Sequence, residues 1–359
     1  MKSRKVYFDS LKIIAIFFVL YAHTGDLAIH HYRIESGRFS YLFALAFQQL
    51  SYICNSLFFF ISGALLLNKQ ENLKILFRKR VLKYFILIIV FGLIQYLYSY
   101  YRNPEIGISF SLVSKTLYSS NVTTTYWFLH SYLAFLLMLP FLRIIAGKMT
   151  KELSVYLLSL LIIIDGLLPV VELFWKNDRI ALSIPLFEMS LIFPMLGYYF
   201  EHVFNSDKIT LKYLLPWNIA ALASWIVYTF YNKKCFELTG SDYNYVAGLS
   251  VILLIALYFD IKYVCLSLSG FFDSQFGKII VKILSVFGKS TLVIYLFNNI
   301  LCDLFHFLYD ALYLKISWIG ATFVWLSVVI IVGACLSFIY ESIKKWLLVT
   351  VSHFSKQQP

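Results

Sequence analysis

The segment Tyr84–Gln95 reads YFILIIVFGLIQ, and Trp325–Val332 reads WLSVVIIV. These apolar runs lack the apolar–polar alternation of a membrane β-barrel strand. In hydrocarbon, only helices and closed barrels satisfy all of their own backbone hydrogen bonds, so the missing alternation favours helices. The two runs predict an all-α fold that is built in a membrane.

The composition extends this prediction to the whole chain. Of the 359 residues, 60% are hydrophobic and 14% are charged, against about 45–50% and about 25% in soluble domains. The mean hydropathy is +0.75. A soluble core of this length cannot bury so much apolar surface, and we therefore expect lipid to cover most of it.

About ten apolar stretches are long enough to span a bilayer, which takes roughly 20 residues each. They lie near residues 7–29, 43–67, 81–101, 126–146, 152–175, 180–203, 211–231, 244–268, 284–309 and 316–349. The segments between them are short and leave no room for a soluble catalytic domain. We predict a single polytopic membrane domain over residues 1–359.

The net charge of +12 predicts how the chain is oriented. In a soluble protein such an excess suggests nucleic acid, but in a membrane protein basic loops are retained on the cytoplasmic side. Of the 31 Lys and Arg residues, 22 fall on one side of the predicted membrane and 9 on the other. This split predicts that both termini are cytoplasmic and that nucleic acid is not a partner.

The five cysteines predict neither a disulfide framework nor a metal site. Cys235 lies alone in a short polar stretch. The other four lie inside apolar segments, namely Cys54, Cys265, Cys302 and Cys335.

The first predicted span carries four ionisable residues on one face. Lys12 and His23 are 11 residues apart, which at 100° per residue places them within about 20° of each other and about 16 Å apart along the axis. Asp9 and Asp26 fall within about 60° of either, so all four share an arc of about 100°. Ionisable side chains at membrane depth face a protein interior or an aqueous cavity and mark function, and histidine is the commonest general base. The alternative places Asp9 and Lys12 in one membrane interface and the other two in the opposite one.

This segment resembles the opening signature of the acyltransferase 3 family. The stretch Tyr7–Ala15, with apolar residues up to His23, is similar to the family pattern of a basic residue, ten residues and a histidine. The family usually has Arg at the basic position. Lys12 keeps the positive charge but lacks the bidentate guanidinium fork.

Four later segments resemble family motifs in the same order along the chain. They are Leu57–Gly63 (LFFFISG), Arg78–Lys83 (RKRVLK), Tyr126–Leu129 (YWFL) and Phe287–Phe297 (FGKSTLVIYLF). The last pattern usually ends in His, where this chain has Asn298. The resemblance runs from about residue 6 to the last span.

The resemblance implies an integral-membrane O-acyltransferase of about ten helices in a bacterial cytoplasmic membrane. Its donor would be acetyl-CoA or another acyl-CoA, its acceptor a hydroxyl of an envelope polysaccharide or lipid-linked glycan, and no metal is implied. His23 would act as general base or carry the acyl group. Lys12 would stabilise negative charge, and Asp9 or Asp26 would orient these partners.

A basic cluster precedes the third span on the predicted cytoplasmic side. It consists of Arg78, Lys79, Arg80 and Lys83. The resemblance implies that these cations hold the phosphates of coenzyme A, for which Arg and Lys are suited. The alternatives are a role in topology and contact with anionic lipid headgroups.

Four further residues are candidates for binding substrate, namely Ser62, Trp127, Glu188 and Asn298. Trp127 is alternatively an interfacial anchor. Glu188, like Asp165 and His130, is alternatively part of a local polar pair between helices. His306 and Asp303, one turn apart near the outer end of the ninth span, are read as surface residues.

Two other classes of protein remain open at this point. A transporter or flippase for a small solute or lipid-linked sugar also lines its path with charged residues. A non-catalytic component of an envelope-assembly complex would be consistent with Lys12 and Asn298 in place of the family's Arg and His.

Overall fold

A computed structural model describes residues 5–23, 38–107, 109, 111, 114, 126–175, 188–204, 209–239 and 245–356, with only the backbone described at 38–42, 174–175, 236–239 and 345–356. All regular secondary structure in these ranges is helical, which confirms the all-α class. The helices are α1 Val6–His23, α2 Arg38–Ser51, α3 Cys54–Leu66, α4 Leu73–Arg102, α5 Trp127–Gly147, α6 Lys151–Ile162 with its continuation Leu168–Trp175, α7 Met189–Tyr198, α8 Leu211–Thr239, α9 Ala247–Ser267, α10 Ser269–Asp273, α11 Gln275–Leu304, α12 His306–Ile316 and α13 Trp318–Lys356.

Nine helical segments in the described part of the chain are long and apolar enough to cross a membrane. They confirm a polytopic membrane protein. The predicted span near 180–203 is described only from residue 188 onward, where α7 is followed by a π-helical turn at Tyr199–Val203. The orientation of the spans stays a prediction.

Side-chain caps explain where three of the helices begin. The side chain of Asn72 accepts a hydrogen bond from the backbone N–H of Ile75 (2.9 Å) and starts α4. Thr150 and Ser274 cap α6 and α11 in the same way. Such caps satisfy backbone donors that the first turn of a helix leaves unpaired.

In the described residues, π-helical turns interrupt α4 at Phe77–Val81 and α6 at Ile163–Leu167, and a third follows α7 at Tyr199–Val203. Turns of this kind occur frequently at functional sites in proteins. The first of them contains Arg78, Lys79 and Arg80 of the basic cluster.

The chain divides into two compact units, the first comprising Met1–Tyr41 with Leu268–Pro359 and the second comprising Leu42–Ser267. In the first unit, α1, α11 and α13 pack together. Their register follows from three contacts, Asp9 with Gly288, Ile294 with Gly333, and Phe17 with Phe323. His306, just after the C-terminal end of α11, contacts Trp325 near the N-terminal end of α13. Therefore α13 runs antiparallel to α11, and α1 runs parallel to α11. The C-terminal ends of α1 and α11 therefore lie beside the N-terminal end of α13.

In the second unit, α3 and α7 cross at two glycines. A Cβ atom at Gly63 would collide with the backbone of Pro194, and one at Gly197 would collide with the backbone of Phe60. Small residues allow helices in a membrane to approach this closely. The glycine of the LFFFISG segment thus serves helix packing, and it places the preceding Ser62 next to this crossing.

Candidate functional site

In the first unit, the two charged residues at the start of α1 form an ion pair. Lys12 Nζ lies 3.8 Å from Asp9 Oδ1, because residues three apart are neighbours on a helix surface. Asp9 is buried, whereas a quarter of the Lys12 side chain is exposed. A carboxylate buried in a membrane helix is costly unless it is paired, and Lys12 supplies an opposite charge.

Gly288 brings α11 against this ion pair. A Cβ atom at this position would lie 2.7 Å from Asp9 Oδ1, so a larger residue would displace the carboxylate. The GKS segment near the C-terminus and the DSLK segment near the N-terminus are therefore in contact. Each of the two motifs is visible in the sequence, but their contact is not.

His23 lies at the other end of α1 from this pair. It is the last residue of the helix, and its side chain is exposed. The 11 residues between Lys12 and His23 correspond to about 16 Å of helix, so the two side chains are at different depths. Asp26, the fourth predicted catalytic residue, lies outside the described residues.

Asn298 is buried in α11, with 1% of its surface exposed. Neither its amide nitrogen nor its amide oxygen has a hydrogen-bond partner among the described residues. Buried polar groups are normally satisfied by protein or ordered water. A polar ligand group or a water molecule would satisfy this amide, and the role of Asn298 in binding substrate stays a prediction.

In the second unit, the basic cluster contains three exposed cations and one arginine that is fixed by hydrogen bonds. Arg78, Lys79 and Lys83 are exposed, whereas Arg80 is partly buried. Arg80 donates two hydrogen bonds to Glu71, at 3.0 Å through Nε and 2.6 Å through the terminal nitrogen. This is the bidentate geometry that fixes a guanidinium group most firmly.

A second arginine binds the same carboxylate. Arg143 on α5 donates to Glu71 at 3.0 Å and to the carbonyl oxygen of Leu66 at 3.2 Å. The hydrogen bonds from Arg80, followed by those from Arg143, lower the pKa of Glu71 from 4.5 to about 2. We call Glu71, Arg80 and Arg143 the Glu71 cluster. At neutral pH it carries one net positive charge.

Ser62 pairs with a tyrosine of α5. The hydroxyl groups of Ser62 and Tyr132 are 3.0 Å apart, and Tyr132 also hydrogen-bonds Tyr84. Both tyrosines are near enough to Arg80 to feel its charge, but the hydrogen bonds of Arg80 go to Glu71. The structure thus places the predicted substrate-binding Ser62 in the same region as the predicted donor-binding Arg80.

The other two predicted substrate-binding residues are Trp127 and Glu188. Trp127 begins α5, about 24 Å along the helix from Arg143 but five residues, about 8 Å, from Tyr132. Glu188 is exposed at the start of α7. Their roles in binding stay predictions.

Glu71 and Arg143 are site residues that the sequence motifs did not predict. The sequence feature that could have indicated the site is Glu71 itself, an acidic residue within the basic segment 69–83, where an ion pair with a neighbouring cation is expected. Arg143 was counted only toward the orientation of the chain. Its contact with Glu71 spans 72 positions, which no local pattern encodes.

A buried ion pair in the second unit was also missed. Lys262 Nζ lies 3.3 Å from Glu201 Oε2, and both side chains are 1% exposed. The Tyr258 hydroxyl donates to the same carboxylate oxygen at 2.6 Å. The pair connects α9 to the π-helical turn after α7, where removal of either partner would leave a buried charge.

The helical fold and the charged residues within it define a polytopic membrane protein with polar sites among its helices. A family model described as an acyltransferase domain matches residues 5–340. The chain therefore belongs to the acyltransferase 3 family and is an integral-membrane acyltransferase. No curated protein and no solved structure matches it.

Proposed function

We propose that the protein transfers an acetyl group from cytoplasmic acetyl-CoA to a hydroxyl of an envelope polysaccharide or lipid-linked glycan in a bacterial cytoplasmic membrane. The family supports acyl transfer in general. The observation that supports a coenzyme A donor is the set of exposed cations beside the Glu71 cluster.

Coenzyme A carries several phosphate groups, which Arg and Lys bind through charge-assisted hydrogen bonds. Arg78 and Lys79 are exposed and so accessible to such groups. Glu71 holds Arg80 and Arg143 in fixed orientations, which lowers the entropic cost of organising a cationic site. The surplus of positive charge favours an anionic ligand.

His23 is proposed as the general base of the transfer. As the acceptor hydroxyl oxygen attacks the thioester carbonyl carbon, the imidazole takes the hydroxyl proton. The carbon–sulfur bond then breaks, and the departing thiolate takes the proton, which leaves an ester and free coenzyme A. In the variant route, the imidazole first carries the acyl group and then passes it to the hydroxyl.

Lys12 serves the same reaction from the other end of α1. Its distance from His23 along the helix means that Lys12 acts on the donor at a point remote from the hydroxyl that His23 deprotonates. Lys12, oriented by Asp9, stabilises negative charge on the donor. Asp26 orients His23. Buried Asn298 is proposed to bind a polar group of a substrate.

The test of the transfer is the O-acetyl content of envelope polysaccharides. Cells that lack the protein are compared with cells that carry the wild-type protein or His23→Ala at equal abundance. Because general base catalysis contributes about 10²–10⁴-fold in rate, we expect wild type to restore O-acetylation and His23→Ala to leave it at the level of the deletion. Restoration by His23→Ala would overturn the role of this residue, and an unchanged deletion strain would overturn the proposed acceptor.

The donor site is tested in the same study by binding of acetyl-CoA to the purified protein. The double substitution Arg78→Ala with Lys79→Ala removes two exposed cations without touching the Glu71 cluster. Loss of charge-assisted contacts should weaken binding about tenfold. Lys148→Ala with Lys151→Ala removes two exposed cations elsewhere on the predicted cytoplasmic side and serves as the matched control. Equal weakening in both would indicate general surface charge instead of a site.

A further inference from the structure

Side chains from two other helical segments hold the C-terminal end of α3 in the second unit. His202, in the π-helical turn after α7, donates a hydrogen bond from Nε2 to the backbone carbonyl oxygen of Ala64 at 2.7 Å. Arg143 on α5 donates to the carbonyl oxygen of Leu66 at 3.2 Å. The last carbonyl groups of a helix lack partners within it, and these two side chains bond to two of them. The end of α3 is therefore fixed from outside the helix.

The hydrogen bond to Ala64 also fixes the tautomer of His202. A carbonyl oxygen only accepts, so in the neutral imidazole Nε2 carries the proton and Nδ1 is an acceptor. The amide nitrogen of Asn68 lies 3.4 Å from Nδ1 and donates to it. Although His202 is exposed, both of its ring nitrogens thus bond to one stretch of chain, the end of α3 and the start of the loop that follows.

The turn that carries His202 is itself anchored to α9. Its neighbour Glu201 pairs with Lys262 Nζ at 3.3 Å and accepts a hydrogen bond from Tyr258 at 2.6 Å. The side chains of Glu201 and Lys262 are each 1% exposed, and separating such a pair would leave two buried charges without compensation. Glu201 therefore binds the turn to α9, while His202 binds the same turn to α3.

The end of α3 leads directly into the Glu71 cluster. Glu71 lies five residues beyond Leu66 and directly before Asn72, whose side chain caps the start of α4. Arg143 bonds to the carbonyl oxygen of Leu66 and to the carboxylate of Glu71 at the same time. A shift at the end of α3 would therefore move Glu71 relative to its two arginines.

We propose that His202 is a positioning residue of the donor site. Anchored to α9 through Glu201, it fixes the end of α3 and thereby the orientation of Glu71 and of the arginines that Glu71 holds. In this role His202 acts through Ala64 and Asn68, and the cations of the site act on the donor. A site that is ordered in advance binds its ligand at a lower entropic cost. This inference rests on the proposed function, in which these cations bind acetyl-CoA.

The first test compares two substitutions of His202 that differ in reach. The amide nitrogen of glutamine extends to the place of Nε2, whereas that of asparagine extends only to the place of Nδ1. Purified protein in nanodiscs is titrated with acetyl-CoA to measure Kd. We expect His202→Asn to raise Kd about fivefold, because it loses the hydrogen bond that orders the site. His202→Gln keeps a donor for Ala64 and should bind acetyl-CoA as wild type does.

Ser224→Ala is the matched control for His202→Asn. Ser224 on α8 donates a buried hydrogen bond to the carbonyl oxygen of Leu249 at 2.9 Å in the same unit. Its loss should lower the Tm and leave the affinity for acetyl-CoA unchanged. Equal weakening by Ser224→Ala and His202→Asn would overturn the positioning role, as would equal affinity in His202→Asn and wild type. Equal weakening by His202→Gln and His202→Asn would contradict the role of Nε2.

A double-mutant cycle tests the same coupling without any donor. Independent residues have additive effects on stability, whereas coupled residues do not. The drop in Tm caused by Glu71→Gln should be smaller in the His202→Asn background than in wild type, and unchanged in the Ser224→Ala background. Equal drops in all three backgrounds would overturn the inference. Failure of the wild-type protein to bind acetyl-CoA would overturn the proposed donor, and the cycle would still decide whether His202 orders the Glu71 cluster.

Discussion

The carboxylate of Glu71 accepts hydrogen bonds from two guanidinium groups that belong to α4 and α5. The Glu71→Gln substitution keeps the shape of the side chain and removes its charge. Because the ion pairs of Glu71 with Arg80 and Arg143 are partly exposed, we expect a loss of about 1 kcal/mol in the free energy of unfolding. Thermal unfolding of the purified protein at pH 7 measures this loss as a drop of a few degrees in Tm.

The pH dependence of the Tm difference between wild type and Glu71→Gln tests the ion pairs more directly. The pKa of Glu71 lies well below its ordinary value, so the ion pairs stabilise the protein fully above about pH 4.5 and are lost as the pH falls through about 2. The Tm difference between wild type and Glu71→Gln should be constant from pH 7 to pH 5 and shrink as the pH approaches 2. Glu105→Gln, at an exposed acid in the same unit, should show no difference at any pH. A difference that persists at pH 2 would contradict this assignment.

At the scale of the elements, the crossing of α3 and α7 depends on glycine. Gly63→Ala would drive a methyl group into the backbone of Pro194, which cannot yield without separating the helices. Overpacking of this kind costs about 1–3 kcal/mol or more. We expect a lower Tm and less protein in the membrane, both measured on detergent-solubilised material.

Gly147→Ala is the matched control for this substitution. Gly147 ends α5, and a Cβ atom there meets open space. Alanine favours helix over glycine by about 1 kcal/mol, so this variant should be as stable as wild type or slightly more stable. Equal destabilisation by the two substitutions would mean that the crossing of α3 and α7 is not the cause.

For the molecule as a whole, the uneven distribution of Lys and Arg predicts the orientation of every span. With 22 of the 31 basic residues on one side, a fluorescent protein fused to the C-terminus should fold in the cytoplasm and fluoresce. Alkaline phosphatase, which is active only outside the cytoplasm, should be active when fused after Ser317 and inactive at the C-terminus. The reverse pattern would invert the orientation, and with it the proposed sides for donor and acceptor.

The sequence by itself determined the membrane-embedded helical class and the family. Composition and long apolar runs suffice for the class, because lipid obliges each segment to satisfy its backbone locally. Short motifs suffice for the family, because their order along the chain is visible without a fold. The face shared by Asp9, Lys12 and His23 also follows from helical periodicity alone.

Only the tertiary structure decided which distant residues meet. Arg143 joins Arg80 on Glu71, Gly288 packs on Asp9, and His306 rests on Trp325. Each contact joins separate helices, and no spacing within one helix encodes how another helix packs against it. The physical reason is that helices in lipid associate through close packing and polar contacts, which depend on the shapes of both partners.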